Sequence, residues 1–270
     1  MKTWKQILIG ELHWKRLLSS FIIIYFTIAI LAFFYAERLI FPYNRSSYNS
    51  NLSGLKIIKA NDGTSIATKF WQAQDERYLM LYFHGNYLDL GHMDGIAEQL
   101  NNYGYSVLAI DYRGYGLSQG QATEKSAYQD AQLLYQEAIN MGYTSNHILI
   151  VGRSVGSGIA TELALTNHAK ALVLISPFTS AYRVMTKIAI MPFDKFNNLA
   201  KIRHISQPLF IIHGTDDQII RSWHSAELFD KHKGKKQRIL IKGAGHNDIW
   251  SYNLENIFAK LKIFLMEELP

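Results

Sequence analysis

The sequence predicts an α/β fold: a mostly parallel central sheet with helices on both faces, preceded by an apolar N-terminal helix. Three observations carry this reading. Six short runs, 78–83, 106–110, 147–151, 171–175, 209–212 and 238–241, are apolar without clear alternation, as are strands buried on both faces of a parallel sheet. Helix-forming stretches near 91–103, 123–141, 155–167, 222–232 and 249–268 separate them, and strands that alternate with helices imply parallel pairing. Each apolar run is followed by polar residues, and open α/β sheets bind ligands beyond the carboxyl ends of their strands.

The elements follow in order. Residues 17–36, LLSSFIIIYFTIAILAFFYA, carry no charge; about 20 apolar residues match the hydrocarbon thickness of a bilayer at helical rise. A secretory signal has a shorter apolar core and a small-x-small cut. A cut after Ala36 would put Phe34 where a small residue is needed, so the span reads as an uncleaved anchor. Lys2, Lys5, Lys15 and Arg16 precede it; Glu37, Arg38 and Arg45 follow. That Lys/Arg bias places the N-terminus in the cytoplasm and the following domain outside it, periplasmic or lumenal. Residues 1–40 are read as flank and transmembrane anchor, 41–54 as a polar linker, and 55–270 as one domain. Segments 55–59 and 64–71 flank Asn61-Asp-Gly63, a hairpin signal.

Composition bounds the chemistry. The chain has 270 residues, 48% hydrophobic and 19% charged, enough for one substantial core. It has no cysteine, which excludes disulfides, Cys-ligated zinc and a thiol nucleophile. The net charge is +6. Part of the excess lies in 231–238, KHKGKKQR, read as a solvated helix-to-strand turn. It lacks the interleaved aromatics of a nucleic-acid groove, so no nucleic-acid partner is expected. Oligomeric state leaves no signal in the sequence.

The polar strand ends hold one motif with chemical content. Gly152-Arg-Ser-Val-Gly156 joins an apolar run to a helix-forming run. Gly-x-Ser-x-Gly at a strand-to-helix turn presents a serine hydroxyl clear of the sheet. A serine is a poor nucleophile unless a base takes its proton and a third group orients that base. His246, in Gly243-Ala-Gly-His-Asn-Asp248, is the candidate base. Asp216 and Asp217 both follow the His213-Gly214 turn, and only one of the two can point at His246; the third position after Gly214, the usual place for the acid in sequences that this chain resembles, favours Asp217. Asp111 begins a Gly-rich turn and reads as a loop residue, and Asp248 is a weaker candidate. No His-Glu-x-x-His or tight histidine cluster is present, so no metal is expected. Gly114-Tyr-Gly116 is not a dinucleotide fingerprint, since the next glycine, Gly120, falls one place late. No organic cofactor is implied.

Together His84-Gly-Asn86, Asp111-Tyr-Arg-Gly-Tyr-Gly116, Gly152-Arg-Ser-Val-Gly156, Ser176-Pro-Phe-Thr-Ser180, His213-Gly-Thr-Asp-Asp217 and Gly243-Ala-Gly-His-Asn-Asp248 resemble the α/β-hydrolase superfamily over about residues 55–268. More narrowly, the chain is similar to the membrane-anchored serine hydrolases that include protein-depalmitoylating enzymes and their bacterial relatives. The resemblance implies the chain order nucleophile, acid, histidine, met by Ser154, Asp217 and His246. It implies an oxyanion hole from the main-chain N–H of Val155 and one in the loop after the third strand, Asn86 or else Tyr87. The expected reaction is cleavage of carboxylic esters or thioesters of small-molecule or lipid acyl substrates. A serine peptidase and a lipid-directed lipase are the alternatives on the same fold, and a non-catalytic binding protein is the reading from another class. Two features depart from the depalmitoylating members or narrow the site. The cysteine-rich N-terminus of those members is replaced by an apolar span. The segment between Ser176 and Gln207 leaves room for only a small cap, which argues for an open mouth.

Overall fold

The computed structural model of the chain describes residues 14–42, 45–252 and 254–266. The chain divides into two compact units, Met1–Leu39 and Ile40–Pro270.

The first unit holds nearly all of helix α1, Trp14–Ile40, 27 residues long. At 1.5 Å per residue it measures about 40 Å, beyond a hydrocarbon core of about 30 Å. Its mean hydropathy is 2.5, and Phe21, Ile23, Phe26, Ile30 and Phe34 are exposed. Among the described residues it is the one helix long and apolar enough to cross a membrane.

The second unit is built on a sheet of eight strands among the described residues: β1 Leu55–Lys59, β2 Ser65–Trp71, β3 Tyr78–Phe83, β4 Tyr105–Ile110, β5 Ile148–Arg153, β6 Ala171–Ile175, β7 Leu209–Gly214 and β8 Lys236–Ile241. Their spatial order is β1-β2-β4-β3-β5-β6-β7-β8. β2 is antiparallel to both β1 and β4, and every pair from β4 to β8 is parallel. The helices are α2 Asp94–Asn102, α3 Glu124–Asn140, α4 Val155–Thr166, α5 Ala181–Met185, α6 Asn198–Ile202, α7 Trp223–Lys231 and α8 Leu254–Met266.

Leu79, Leu81, Phe83, Ile148 and Ile150 pack in one core layer with residues of α3, α4, α6 and α7. Met80, Tyr82, Leu149 and Val151 pack in the other with α2 and α8. Both faces of the central strands are therefore dry, which is why their sequences show no polar alternation. β3 pairs with β4 on one side and β5 on the other, so the connections diverge at this pair. That is the topological switch point, where the carboxyl ends of the strands open a crevice. The loop 84–87 leaves β3 there, and Ser154 leaves β5 beside it.

Boundaries differ from the sequence expectation where water competes. β8 starts at Lys236 rather than 238; it is a half-exposed edge strand, so charged residues are tolerated in it. The helix expected over 91–103 is a 3-10 turn, Leu90–His92, followed by α2. The one expected over 249–268 divides into a turn, Ile249–Ser251, and α8; residues 267 and 268 lie outside the described residues.

The polar stretch after α1 is fastened to the second unit. Phe41 is buried against the rings of Tyr112, Tyr115 and Phe196, with centroids 5.8, 6.2 and 5.9 Å away. The Ile40 carbonyl accepts from Asn86 Nδ2 at 3.1 Å. Ser47 donates its N–H (2.6 Å) and its hydroxyl to buried Asp89. The Tyr48 hydroxyl donates to Asp111 and accepts from the Leu117 N–H at 3.1 Å. Two glycines make room for this strap. A Cβ on Gly91 would strike Ser47 Oγ at 2.3 Å, and one on Gly116 would meet Tyr48 Oη at 2.5 Å.

Between β6 and β7 the chain forms only α5, α6 and irregular backbone. Met185, Ile188 and Ile190 of this cap are exposed. The two helices are five residues long each.

Candidate active site

Ser154 stands between β5 and α4 with φ +54° and ψ −121°, a conformation that costs a non-glycine residue strain. The surroundings hold it there. A Cβ on Gly152 would lie 2.3 Å from the Gly156 carbonyl oxygen, and one on Gly156 would lie 2.0 Å from that of Phe83. Both flanking glycines are demanded by the close approach of α4 to the strands. The serine is 9% exposed, and its hydroxyl donates to His246 Nε2 at 3.0 Å.

His246 lies on the loop after β8, which its neighbours shape. The Gly245 N–H donates to Asp248 Oδ1 at 2.7 Å, and the Tyr252 hydroxyl donates to the Gly243 carbonyl at 2.7 Å. The imidazole Nδ1–H donates to Asp217 Oδ2 at 2.7 Å, which leaves Nε2 as the acceptor facing Ser154. Asp248 thus serves the turn.

Asp217, rather than Asp216, lies against the histidine. Its other oxygen accepts the N–H groups of Ile219 (3.0 Å) and Ile220 (2.8 Å). Asp216 is exposed and accepts from the Thr215 hydroxyl. Burial alone would push the Asp217 carboxyl up. Hydrogen bonds from His213 and His246, the imidazole charge and the Ile220 N–H outweigh it and hold the group well below the usual carboxylate range.

Val155 opens α4, so its N–H has no intrahelical acceptor. Asn86 is half-buried in the loop after β3, and its side chain is committed to Ile40. A Cβ on Gly85 would come within 3.7 Å of Ser154 Cβ, so this loop passes directly beside the serine. Tyr87 is exposed. His84 donates from Nδ1 to the Gly85 carbonyl at 2.9 Å and packs on Tyr112.

The family profile described as "Serine aminopeptidase, S33" matches residues 74–201. The human protein "Alpha/beta hydrolase domain-containing protein 17B" is 34% identical over 222 residues, covering 79% of this chain and 75% of its own. The chain belongs to the α/β-hydrolase family. The mouse protein "Alpha/beta hydrolase domain-containing protein 17C" is 32% identical over 206 residues, covering 73% of this chain and 62% of its own. Among solved structures, the Pyrococcus furiosus esterase Pf2001 has a TM-score of 0.64 at 20% identity, covering 84% of this chain and 99% of that one. Est1E from Butyrivibrio proteoclasticus, solved with ferulic acid bound, has a TM-score of 0.63 at 18% identity, covering 78% and 98%. The protein is thus a hydrolase of the α/β-hydrolase fold.

Two buried histidines beside this α/β-hydrolase site were not singled out from sequence. His213 ends β7; its Nε2 donates to the Ile220 carbonyl at 2.7 Å and lies 3.3 Å from Asp217 Oδ2. Its i, i+4 spacing to Asp217 was the available signal. His224 begins α7 and takes the Thr179 N–H (3.2 Å) and hydroxyl (2.9 Å) on Nδ1. Burial, then the charges of Arg183 and His213, push its pKa down to about 4.

The sign of that shift sets a pH dependence. In the unfolded chain His224 takes up a proton below about 6.5; in the fold it stays neutral to about 4. Stability is therefore full above pH 6.5 and falls as pH drops through that window. Asp217 acts in the same direction at lower pH, since its depressed pKa stabilises the fold above the ordinary carboxylate range. The thermal midpoint is expected to fall between pH 6.5 and 4, and His224→Asn, which keeps an acceptor for Thr179, to flatten that part of the curve. An unchanged slope in the variant would assign the dependence to other groups.

Proposed function

We propose that the protein is a membrane-anchored serine hydrolase that cleaves carboxylic esters or thioesters through an acyl-enzyme. The single observation that carries this is the hydrogen-bonded chain from Ser154 Oγ through His246 to Asp217. His246 takes the serine proton as Oγ attacks the acyl carbon. Asp217 fixes the tautomer and stabilises the imidazolium. The main-chain N–H groups of Val155 and Asn86 are placed in the roles of oxyanion donors, where charge develops. His246 then protonates the leaving alkoxide or thiolate, and a water activated by the same imidazole releases the acid. The length and apolarity of α1 support anchoring, and the Lys/Arg excess before it supports a cytoplasmic N-terminus with the hydrolase domain on the far side. A peptidase is the second reading, favoured by the description of the matching family profile.

The test is a p-nitrophenyl ester series from acetate to palmitate, run on the full chain in detergent beside fluorophosphonate labelling. Serine-dependent turnover is expected, and its chain-length optimum separates a small-ester site from a long-acyl site. Labelling without turnover on any ester would move the assignment to the peptidase. Absence of both would sink the hydrolytic mechanism.

A further inference from the structure

Arg153 ends β5 and directly precedes Ser154. It is 6% exposed, yet no carboxylate pairs with it among the described residues, and its Nε has no partner. Two half-buried arginines of this unit, by contrast, are paired with carboxylates: Arg113 with Asp62 and Asp130, and Arg183 with Glu227. A guanidinium withdrawn from water without a counter-charge is costly. What Arg153 has instead is one loop. Its Nη2 donates to the main-chain carbonyl of His246 at 3.0 Å and to Asn247 Oδ1 at 3.1 Å. Both acceptors belong to the loop that carries the imidazole.

The other fastenings of that loop come from its own vicinity or from the turn after β7: Asp248, Tyr252, and Thr215 Oγ1, which accepts the Gly243 N–H at 2.9 Å. Arg153 alone among these reaches from the strand that delivers the nucleophile. The residue before the serine and the residue that receives the serine proton are thus joined by a single charged hydrogen bond, in addition to the side-chain contact that performs the reaction. Charge-assisted bonds of this kind are short and geometrically selective.

We propose that Arg153 is a positioning residue that fixes the His246 main chain, and so the imidazole, relative to the Ser154 hydroxyl. This rests on the reading of Ser154 and His246 as nucleophile and base. A displacement of about 1 Å between reacting groups costs on the order of a hundredfold in rate. Removing Arg153 is therefore felt in the chemical step more than in substrate binding.

The experiment compares Arg153→Met, Arg153→Lys and Asn247→Ala in the full chain, by fluorophosphonate labelling rate and by kcat and KM on the best ester. Arg153→Met is expected to lower kcat and labelling together by about tenfold to a hundredfold, with KM within about twofold. Arg153→Lys is expected to recover part of the loss, because an ammonium still donates to the His246 carbonyl. Asn247→Ala, at an exposed position, keeps that carbonyl bond and is expected to lose little. Labelling at the wild-type rate in Arg153→Met would overturn the proposal. So would a Lys variant no better than Met, or kcat and KM that move together with the melting temperature. Should Arg153→Met not fold, the Lys variant decides alone: a wild-type kcat and labelling rate would overturn positioning by the planar guanidinium. Wild-type protein that fails to label, or Ser154→Ala that labels equally fast, would instead overturn the serine-hydrolase reading beneath it.

Discussion

Ser154→Ala is expected to abolish ester turnover and fluorophosphonate labelling while the protein still folds. The loss should be about 10⁶-fold in kcat, the scale seen when the nucleophile of a serine triad is removed. The fold survives for a local reason. The Ser154 hydroxyl serves one hydrogen bond, to His246, and alanine bears the strain of φ +54° much as serine does. Stability should therefore stay near wild type, as read by thermal melting. Turnover close to wild type in the purified variant would remove Ser154 from the chemistry.

Asp217→Asn is expected to lower kcat by about 10³ to 10⁴-fold, while Asp216→Asn stays near wild type. In the Asp217→Asn variant the side-chain carbonyl oxygen would still receive the N–H groups of Ile219 and Ile220, so the turn after β7 keeps its shape. The amide nitrogen would then face His246 Nδ1. An N–H pointing at that atom demands the other imidazole tautomer, with the proton on Nε2, and such a ring cannot accept the serine proton. Measuring kcat for both variants decides the acid: a large loss in Asp216→Asn with Asp217→Asn unaffected would reverse the assignment.

The central strands were legible because burial on both faces leaves only apolar residues to choose from: 78–83 and 171–175 coincide with β3 and β6. The candidate site was legible because its residues stand at strand ends in fixed order, and Ser154, Asp217 and His246 do come together. Helix starts were less so. At Leu90–His92 and Ile249–Ser251 the backbone takes a tighter turn first; at the former the Leu90 N–H donates to Asp111, 21 residues away, a partner that no local pattern reveals. Arg153 fell at the variable position of Gly-x-Ser-x-Gly, where pattern reading assigns no role. The strap was invisible for another reason. Ser47 and Tyr48 bond to partners 42 and 63 residues away, and a polar, Ser- and Asn-rich stretch carries no signal of a long-range acceptor.

That strap changes what kind of tether the chain has. A free segment as long as 41–54 would have a root-mean-square span of about 20 Å, a leash long enough for a catalytic unit to sweep a hemisphere of solvent. Here the Ile40 carbonyl is already held by Asn86, beside the loop that passes Ser154, and Phe41 is already in the core. Ile40, Phe41, Ser47 and Tyr48 thus belong to the fold of the second unit rather than to a free leash. If α1 is the anchor proposed above, an enzyme held this way would search for substrate in two dimensions rather than three. On the same proposal, acyl compounds sharing the bilayer would meet it by lateral diffusion, whereas a soluble ester would gain nothing from the arrangement.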